Sequence, residues 1–147
     1  MARHEISIGT GFRAQRSYEY DDFYINKKRF SDVLKVADPI TPFGWLGTDL
    51  VPRSDIEDVF AKMLLGMVPS DLRPNRIPIY VCGECADYGC GVTTCKVTLS
   101  ESLVEWSEFG YDNNYEEETY FEDRYLGLVY SFDRTRYEEV FRRYIKT

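Results

Sequence analysis

Two stretches of the chain repeat apolar residues at the three- and four-residue spacing of an amphipathic helix. The first begins at Ser54, the expected N-cap, and carries apolar residues at positions 56, 59, 60, 63, 64 and 67. The second runs from Asp133, again the expected cap, to Lys146, and its apolar face holds Tyr137, Val140, Phe141, Tyr144 and Ile145. One apolar stripe per helix predicts that both helices pack against another part of the protein.

Between the two helices, the sequence predicts strands at residues 77–81, 91–99, 102–109 and 125–132, with a tight turn at 99–102. Residues 91–99 and 102–109 alternate between two faces, as they do in β-strands. Upstream, it predicts a strand at 23–25, a turn at 26–28 and a short helix capped by Ser31 or Asp32. Consecutive short strands followed by a terminal helix indicate an antiparallel sheet. The predicted fold class is therefore α+β, an antiparallel sheet with two amphipathic helices packed on it.

Length and composition fit one domain, residues 1–147. The chain is 44% apolar and 16% aromatic, which is enough to build a core without a disulfide or a metal. Phe43 and Trp45, in a loop rich in proline and glycine, are expected to be buried rather than to form a binding patch. The longest apolar run, residues 63–68, is too short to span a membrane, and the start of the chain leads into no apolar signal region. We therefore expect a cytoplasmic protein that contacts no membrane.

Acidic residues are concentrated in one segment. The chain has 18 basic and 25 acidic residues, and nine of the acids lie between Val97 and Asp123, where there is no Lys or Arg. The other 120 residues carry a net charge of about +2. Because phosphate binding needs a basic face, this distribution disfavours direct contact with DNA or RNA. It favours a partner with a basic surface.

Aromatic residues are interleaved with these acids. A solvated loop rarely carries so many aromatics, whereas aromatic side chains dominate the binding energy of interfaces. The segment is therefore a candidate partner-binding surface, although acidic runs are usually only solvated. Its predicted members are Tyr111, Asp112, Tyr115, Glu116, Glu117, Glu118, Tyr120, Phe121, Glu122 and Asp123.

All four cysteines fall within 14 residues, at positions 82, 85, 90 and 95. Cys82, Cys85 and Cys90 form an alternative site, either for structural zinc or for thiol redox chemistry. Zinc sites of this type usually have a longer segment between the two cysteine pairs, and a reactive dithiol usually lies at a helix N-terminus. A tight glycine-rich turn without metal explains the same residues, and Cys95 is expected to pack as a small apolar side chain.

Little in the sequence favours catalysis. The chain has one histidine, His4, so most catalytic sites in which histidine activates a serine or cysteine nucleophile are disfavoured. Gly9-Thr10-Gly11 lacks the rest of any phosphate-binding motif. Pairs of carboxylates are too numerous to indicate a hydrolase. We expect neither enzymatic activity nor a cofactor.

Two motifs carry a resemblance. The segment Cys82-Gly83-Glu84-Cys85-Ala86-Asp87-Tyr88-Gly89-Cys90-Gly91, followed by Trp106-Ser107-Glu108-Phe109-Gly110-Tyr111, resembles a group of small bacterial proteins with a Cys-x-x-Cys-x-Asp-x-Gly-Cys-Gly turn. Gly83 and Ala86 stand where that group has Pro and Gly. The resemblance covers the chain from about Phe43 onward and implies no activity.

In type rather than in motif, the chain also resembles immunity proteins of bacterial contact-dependent growth inhibition systems, which are small, acidic and rich in aromatics. The resemblance implies a cognate toxin domain, often a basic nuclease, as the partner. The predicted function is therefore an immunity protein that neutralises such a toxin through the acidic, aromatic-rich surface. The zinc-binding or thiol-redox protein is the alternative.

Overall fold

The computed structural model describes residues 3–12, 19–36, 39–43, 52–70, 72, 76–82, 91–113 and 117–146. Within these ranges, strands and helices follow one another along the chain as β1 (Ile6–Phe12), β2 (Glu19–Ile25), β3 (Lys28–Arg29), α1 (Phe30–Leu34), β4 (Pro39–Ile40), α2 (Arg53–Leu64), β5 (Ile77–Cys82), β6 (Val92–Leu99), β7 (Leu103–Asp112), β8 (Tyr130–Asp133) and α3 (Arg134–Arg142). A 3-10 turn, Asp123–Tyr125, lies between β7 and β8.

The larger sheet is antiparallel and has the strand order β4-β5-β6-β7-β8. The predicted turn between β6 and β7 is present, closed by a hydrogen bond of 2.9 Å from the amide of Ser100 to the carbonyl of Leu103. With the helices, this sheet confirms the predicted α+β class. β8 is shorter than the predicted strand at 125–132, because residues 123–125 form the 3-10 turn and 126–129 belong to no strand.

A smaller antiparallel sheet has the order β1-β2-β3. Its second hairpin turns at Asn26 and Lys27, whose φ angles of 54° and 66° suit a two-residue turn that follows the twist of the strands. This turn was predicted, but β1 was not. The two sheets are joined where His4 bridges to β8: the His4 amide donates to the carbonyl of Ser131 at 2.6 Å, and the Ser131 amide donates to His4 Nδ1 at 3.1 Å.

Most of the largest fully buried side chains in the described residues are aromatic. Trp106 of β7 is fully buried, and its ring centroid lies 5.4 Å from that of Phe23 in the smaller sheet. Trp106 Nε1 donates to the hydroxyl of Tyr137 on α3 at 3.1 Å, and that hydroxyl donates to the carbonyl of Leu64 on α2 at 2.7 Å. One chain of buried hydrogen bonds thus links the larger sheet to both long helices, which satisfies polar groups that would otherwise be costly to bury.

Of the predicted N-caps, only that of α3 is correct. The Asp133 carboxylate accepts from the amide of Arg136 at 3.1 Å, as expected of the cap of α3. By contrast, α2 is preceded by Pro52, which provides no side-chain cap, and Ser54 lies inside the first turn. The N-cap of α1 is Arg29, not Ser31, whose hydroxyl instead donates to the buried carboxylate of Asp22 at 2.6 Å.

Some predicted core positions are also corrected. Ile56, Phe60, Met63 and Leu64 of α2 are buried as predicted, but Val59 and Met67 are exposed. Phe43 is fully buried, as predicted, and Trp45 lies outside the described residues. No helix in the ranges given above is long and apolar enough to cross a membrane.

Candidate partner-binding surface

The predicted surface lies where the chain folds back on the end of β7. Tyr111 and Tyr120 exchange backbone hydrogen bonds of 2.7 and 2.8 Å, which place the segment after residue 117 alongside this strand. Tyr115 and Glu116, two of the predicted members, lie outside the described residues. The other eight predicted members lie within the described residues.

Four large apolar side chains are exposed in this part of the chain. Tyr120, Phe121, Leu126 and Val129, here called the apolar cluster, are 66%, 46%, 68% and 47% exposed. Within the described part of the chain, three other large apolar side chains are exposed, Val33, Val59 and Met67, so the segment from Tyr120 to Val129 holds four of the seven. Tyr120 and Phe121 were predicted, whereas Leu126 and Val129 were assigned to a strand. Exposed apolar residues concentrated in one segment are typical of a protein-binding surface.

Carboxylates lie next to the apolar cluster, either within three residues of Tyr120 or Phe121 in the sequence or, for Glu108, in the lining of the same cavity as Phe121. We call five of them the acidic rim; each is at least partly exposed: Glu108, Glu117, Glu118, Glu122 and Asp123. Two cations compensate part of this charge, since Lys96 lies 3.5 Å from Glu108 and Arg124 pairs with Glu122. Arg124 is the only Lys or Arg between positions 97 and 133. The rim therefore keeps a negative charge next to the apolar cluster.

Asp112 does not belong to this exposed surface, which corrects its predicted role. It is 2% exposed, because the end of β7 is covered by the returning segment. Its carboxylate accepts from the hydroxyl of Thr94 at 2.6 Å and from that of Thr119 at 2.7 Å, and it lies 3.5 Å from Nε of Arg76. Asp112 is thus an anchor beneath the surface rather than a charge presented to a partner.

Arg76 is a residue that sequence analysis missed. It is buried just before β5, where its guanidinium donates to the Thr94 hydroxyl at 2.8 Å and to the carbonyl of Glu108. Glu108 has a φ of 50°, at the point where the pairing of β6 and β7 shifts register. The same guanidinium lies 5.3 Å from the ring centroid of Phe121. Arg76 therefore connects the sheet to one side chain of the apolar cluster.

Gly110 permits the close approach of the returning segment. A Cβ at this position would lie 2.8 Å from the carbonyl oxygen of Tyr120, 2.8 Å from Cγ2 of Thr119 and 3.1 Å from Cδ1 of Phe121. Contacts of 2.8 Å are shorter than van der Waals packing allows, so a larger residue would push the segment away. Glycine is required here for space, not for an unusual backbone angle.

Tyr111 and Tyr125 fasten the other side of the segment. The Tyr125 hydroxyl donates to the carbonyl of Leu34 at 2.6 Å, so the Tyr111 hydroxyl, 3.1 Å away, is the donor in the bond between the two phenols. Arg124 donates to both hydroxyls, at 3.0 and 3.1 Å. Burial, the largest cause, raises the pKa of the Tyr125 phenol. Tyr111, predicted as an anchor for a partner, is half-buried and makes its polar contacts within the chain.

The alternative site lies mostly outside the described residues. Cys82 ends β5, and Cys85 and Cys90 lie outside the described residues. Cys95 is a free thiol with no exposed surface, which confirms that it packs as an apolar side chain, and burial raises its pKa. In the described ranges, no group of three or more His, Cys, Asp or Glu residues is arranged to hold a metal ion.

Comparison of the chain with protein families, curated proteins and solved structures finds no match.

Proposed function

We propose that this protein is a cytoplasmic immunity protein that binds and neutralises a cognate bacterial toxin domain, a basic nuclease. The observation that supports the proposal is the exposed apolar cluster next to the acidic rim. It combines the two features by which a protein recognises a basic partner: apolar side chains to bury and negative charge to complement.

The two features have different physical roles. Tyr120, Phe121, Leu126 and Val129 expose apolar area whose burial would provide most of the binding free energy. The rim carboxylates would mainly accelerate encounter, since electrostatic steering raises association rates to about 10⁸–10⁹ M⁻¹s⁻¹ at low salt. A nuclease needs a basic cleft for phosphates, so a carboxylate surface competes with the nucleic acid for the same cations.

The surface is held in position before any partner arrives. Asp112 fixes Thr119, Gly110 lets residues 119–121 lie against β7, and Tyr125 is bound to the carbonyl of Leu34. A rigid segment loses less conformational entropy on binding than a loose loop does. Preorganisation of this kind supports a tight inhibitor rather than a merely solvated acidic loop.

The proposal is tested in three steps with the intact protein. The tagged protein is used to capture its partner from the producing bacterium, and the partner is identified by mass spectrometry. We expect one basic polypeptide in near-equal amount. Its toxin domain, expressed alone, should stop growth, and co-expression of this protein should restore growth. The association rate of the purified pair should fall as ionic strength rises.

The double variant Glu117→Lys/Glu118→Lys tests the surface. A matched control is Glu101→Lys/Glu139→Lys, which makes the same change in net charge at two exposed glutamates outside the acidic rim. We expect the first variant to lower the association rate at least about 10-fold and the control to have a much smaller effect. The proposal is wrong if the captured domain is not toxic, or if growth is not restored by co-expression. Equal association rates for the two variants would show that the acidic rim is not the surface that binds the toxin domain.

A further inference from the structure

A groove opens beside the apolar cluster because β7 is longer than its neighbour. β8 pairs with β7 only as far as Trp106 opposite Tyr130, and the next pairing on this edge is Tyr111 with Tyr120. Between these two points, residues 107–109 of β7 face residues 121–129 across a cavity of about 410 Å³. The cavity is open to the surface at the acidic rim.

The groove is mainly apolar. Phe109 and Tyr125 are buried at its base, Phe121 and Leu128 line it, and the largely exposed Leu126 and Val129 flank its opening. Cavities of about 300–1,000 Å³ hold small ligands, so this volume has room for one or two large side chains. Glu108, an exposed member of the acidic rim, also lines it.

We infer that the groove receives a large aliphatic or aromatic side chain that the toxin domain presents between lysine or arginine residues. The inference rests on the proposed function and adds to it the chemical character of the bound segment. An apolar cavity selects an apolar side chain. The negative charge of the acidic rim, of which Lys96 and Arg124 compensate only part, selects cations next to it.

Charge disfavours the other occupants. A second copy of this chain, related by a two-fold axis, would place two acidic rims against each other. A nucleic acid would place phosphates against the same carboxylates. For a basic partner with an apolar side chain, both the charge of the rim and the apolar groove favour binding.

The variant Val129→Asp separates apolar anchoring from simple charge attraction. If charge alone mattered, another carboxylate at this surface would strengthen binding of a basic partner. If the groove receives an apolar side chain, the polar group at its opening weakens binding, and we expect Kd to rise about 10- to 30-fold. The matched control is Val59→Asp on α2, because Val59 is 43% exposed and Val129 is 47% exposed. The control should leave Kd within about twofold of wild type. An unchanged or lower Kd for Val129→Asp would overturn the inference.

A second test needs no toxin. A peptide with one phenylalanine between pairs of lysines is titrated into the ¹⁵N,¹³C-labelled protein and followed by NMR. We expect the largest shifts at Phe109, Phe121, Leu126 and Val129, and none of comparable size with alanine in place of phenylalanine or glutamate in place of lysine. Shifts elsewhere, or equal shifts with the alanine peptide, would contradict the inference.

The two proposals fail in different ways. If Glu117→Lys/Glu118→Lys weakens toxin binding and Val129→Asp does not, the inference about the groove is wrong and the proposed function is supported. Specific peptide binding at the groove, in a protein that protects against no captured toxin, would support the groove chemistry and overturn the immunity role.

Discussion

Nε of Arg76 lies 3.5 Å from Oδ2 of Asp112, in an ion pair whose side chains are only 9% and 0% exposed. Such a pair contributes little net stability, because removing both charges from water offsets their attraction. Its consequence here is geometric. Asp112 also holds Thr119, and Arg76 lies beside Phe121, so the pair determines where the exposed segment lies on the sheet.

The substitution Asp112→Ala should be strongly destabilising. It leaves the buried guanidinium of Arg76 without its counter-charge, a change that costs about 3–5 kcal/mol in comparable buried pairs. Urea denaturation measures the change in the free energy of unfolding. The double variant Arg76→Met/Asp112→Ala should be less destabilised than Asp112→Ala, because no uncompensated charge remains. Glu118→Ala, at an exposed position, should change stability by less than about 0.5 kcal/mol. A loss below about 1 kcal/mol for Asp112→Ala would show that the pair is not structurally important.

The substitution Gly110→Ala should detach the returning segment while the rest of the fold remains. The new Cβ would clash with the Tyr120 carbonyl and with Thr119, and relieving such overpacking costs about 1–3 kcal/mol. Hydrogen exchange gives a local measure, because the Tyr120 amide donates to the carbonyl of Tyr111 at 2.8 Å. Exchange of the Tyr120 amide should accelerate much more than exchange of the Val104 amide. Val104 lies in β7, as Gly110 does, but at the part of β7 that pairs with β8. Equal acceleration at both amides would indicate general destabilisation instead.

Sequence pattern predicted the elements that have strong periodicity. The alternation in β6 and the first part of β7, the apolar run of β5 and the cap at Asp133 are local signals, and the structure contains them. β1 escaped prediction because Gly9 and Gly11 interrupt it and its pairing partner is β2, a contact that no local pattern encodes. The predicted strand at 125–132 was too long because Gly127, whose φ is +79°, is incompatible with a regular strand.

The candidate surface was predicted only by its composition. Acids and aromatics in one segment identified Tyr120, Phe121 and four of the five rim carboxylates, all but Glu108. Composition does not distinguish a carboxylate facing solvent from one facing Arg76. Asp112 was therefore placed on the wrong side. The residues that position the surface, Arg76 and Gly110, become visible only when strands distant in sequence are brought together.

The thiol of Cys95 should be unreactive in the folded protein. It has no exposed surface, and burial raises its pKa, so both access and the thiolate form are lacking. Alkylation with iodoacetamide at pH 8, resolved by mass spectrometry, should be slower than in denaturant by about 10³-fold or more. Modification at a similar rate in both conditions would contradict the buried placement. The same experiment with and without a chelator tests the zinc alternative, which predicts that chelation exposes Cys82, Cys85 and Cys90 to the reagent.

The substitution Tyr125→Phe should change stability in a way that depends on pH. At pH 7 it should lower the free energy of unfolding by about 1–2 kcal/mol, since the hydroxyl no longer donates to the carbonyl of Leu34. In the wild type, burial raises the pKa of Tyr125, so above about pH 10 the unfolded chain loses this proton while the folded protein keeps it. Ionisation of Tyr125 then favours the unfolded state, so the free energy of unfolding of the wild type falls as the pH rises above about 10.

Phenylalanine has no proton to lose, so the variant should lose stability less steeply than the wild type between about pH 10 and 11. Urea denaturation midpoints measured from pH 8 to pH 11 would show the two curves converging. Tyr120→Phe is the control, because the Tyr120 side chain is 66% exposed and should change stability at pH 7 by less than about 0.5 kcal/mol. Parallel curves for wild type and Tyr125→Phe would mean that the Tyr125 phenol is not held in its protonated form by the fold. The hydroxyl contact with the Leu34 carbonyl would then not be what holds residues 121–129 to α1.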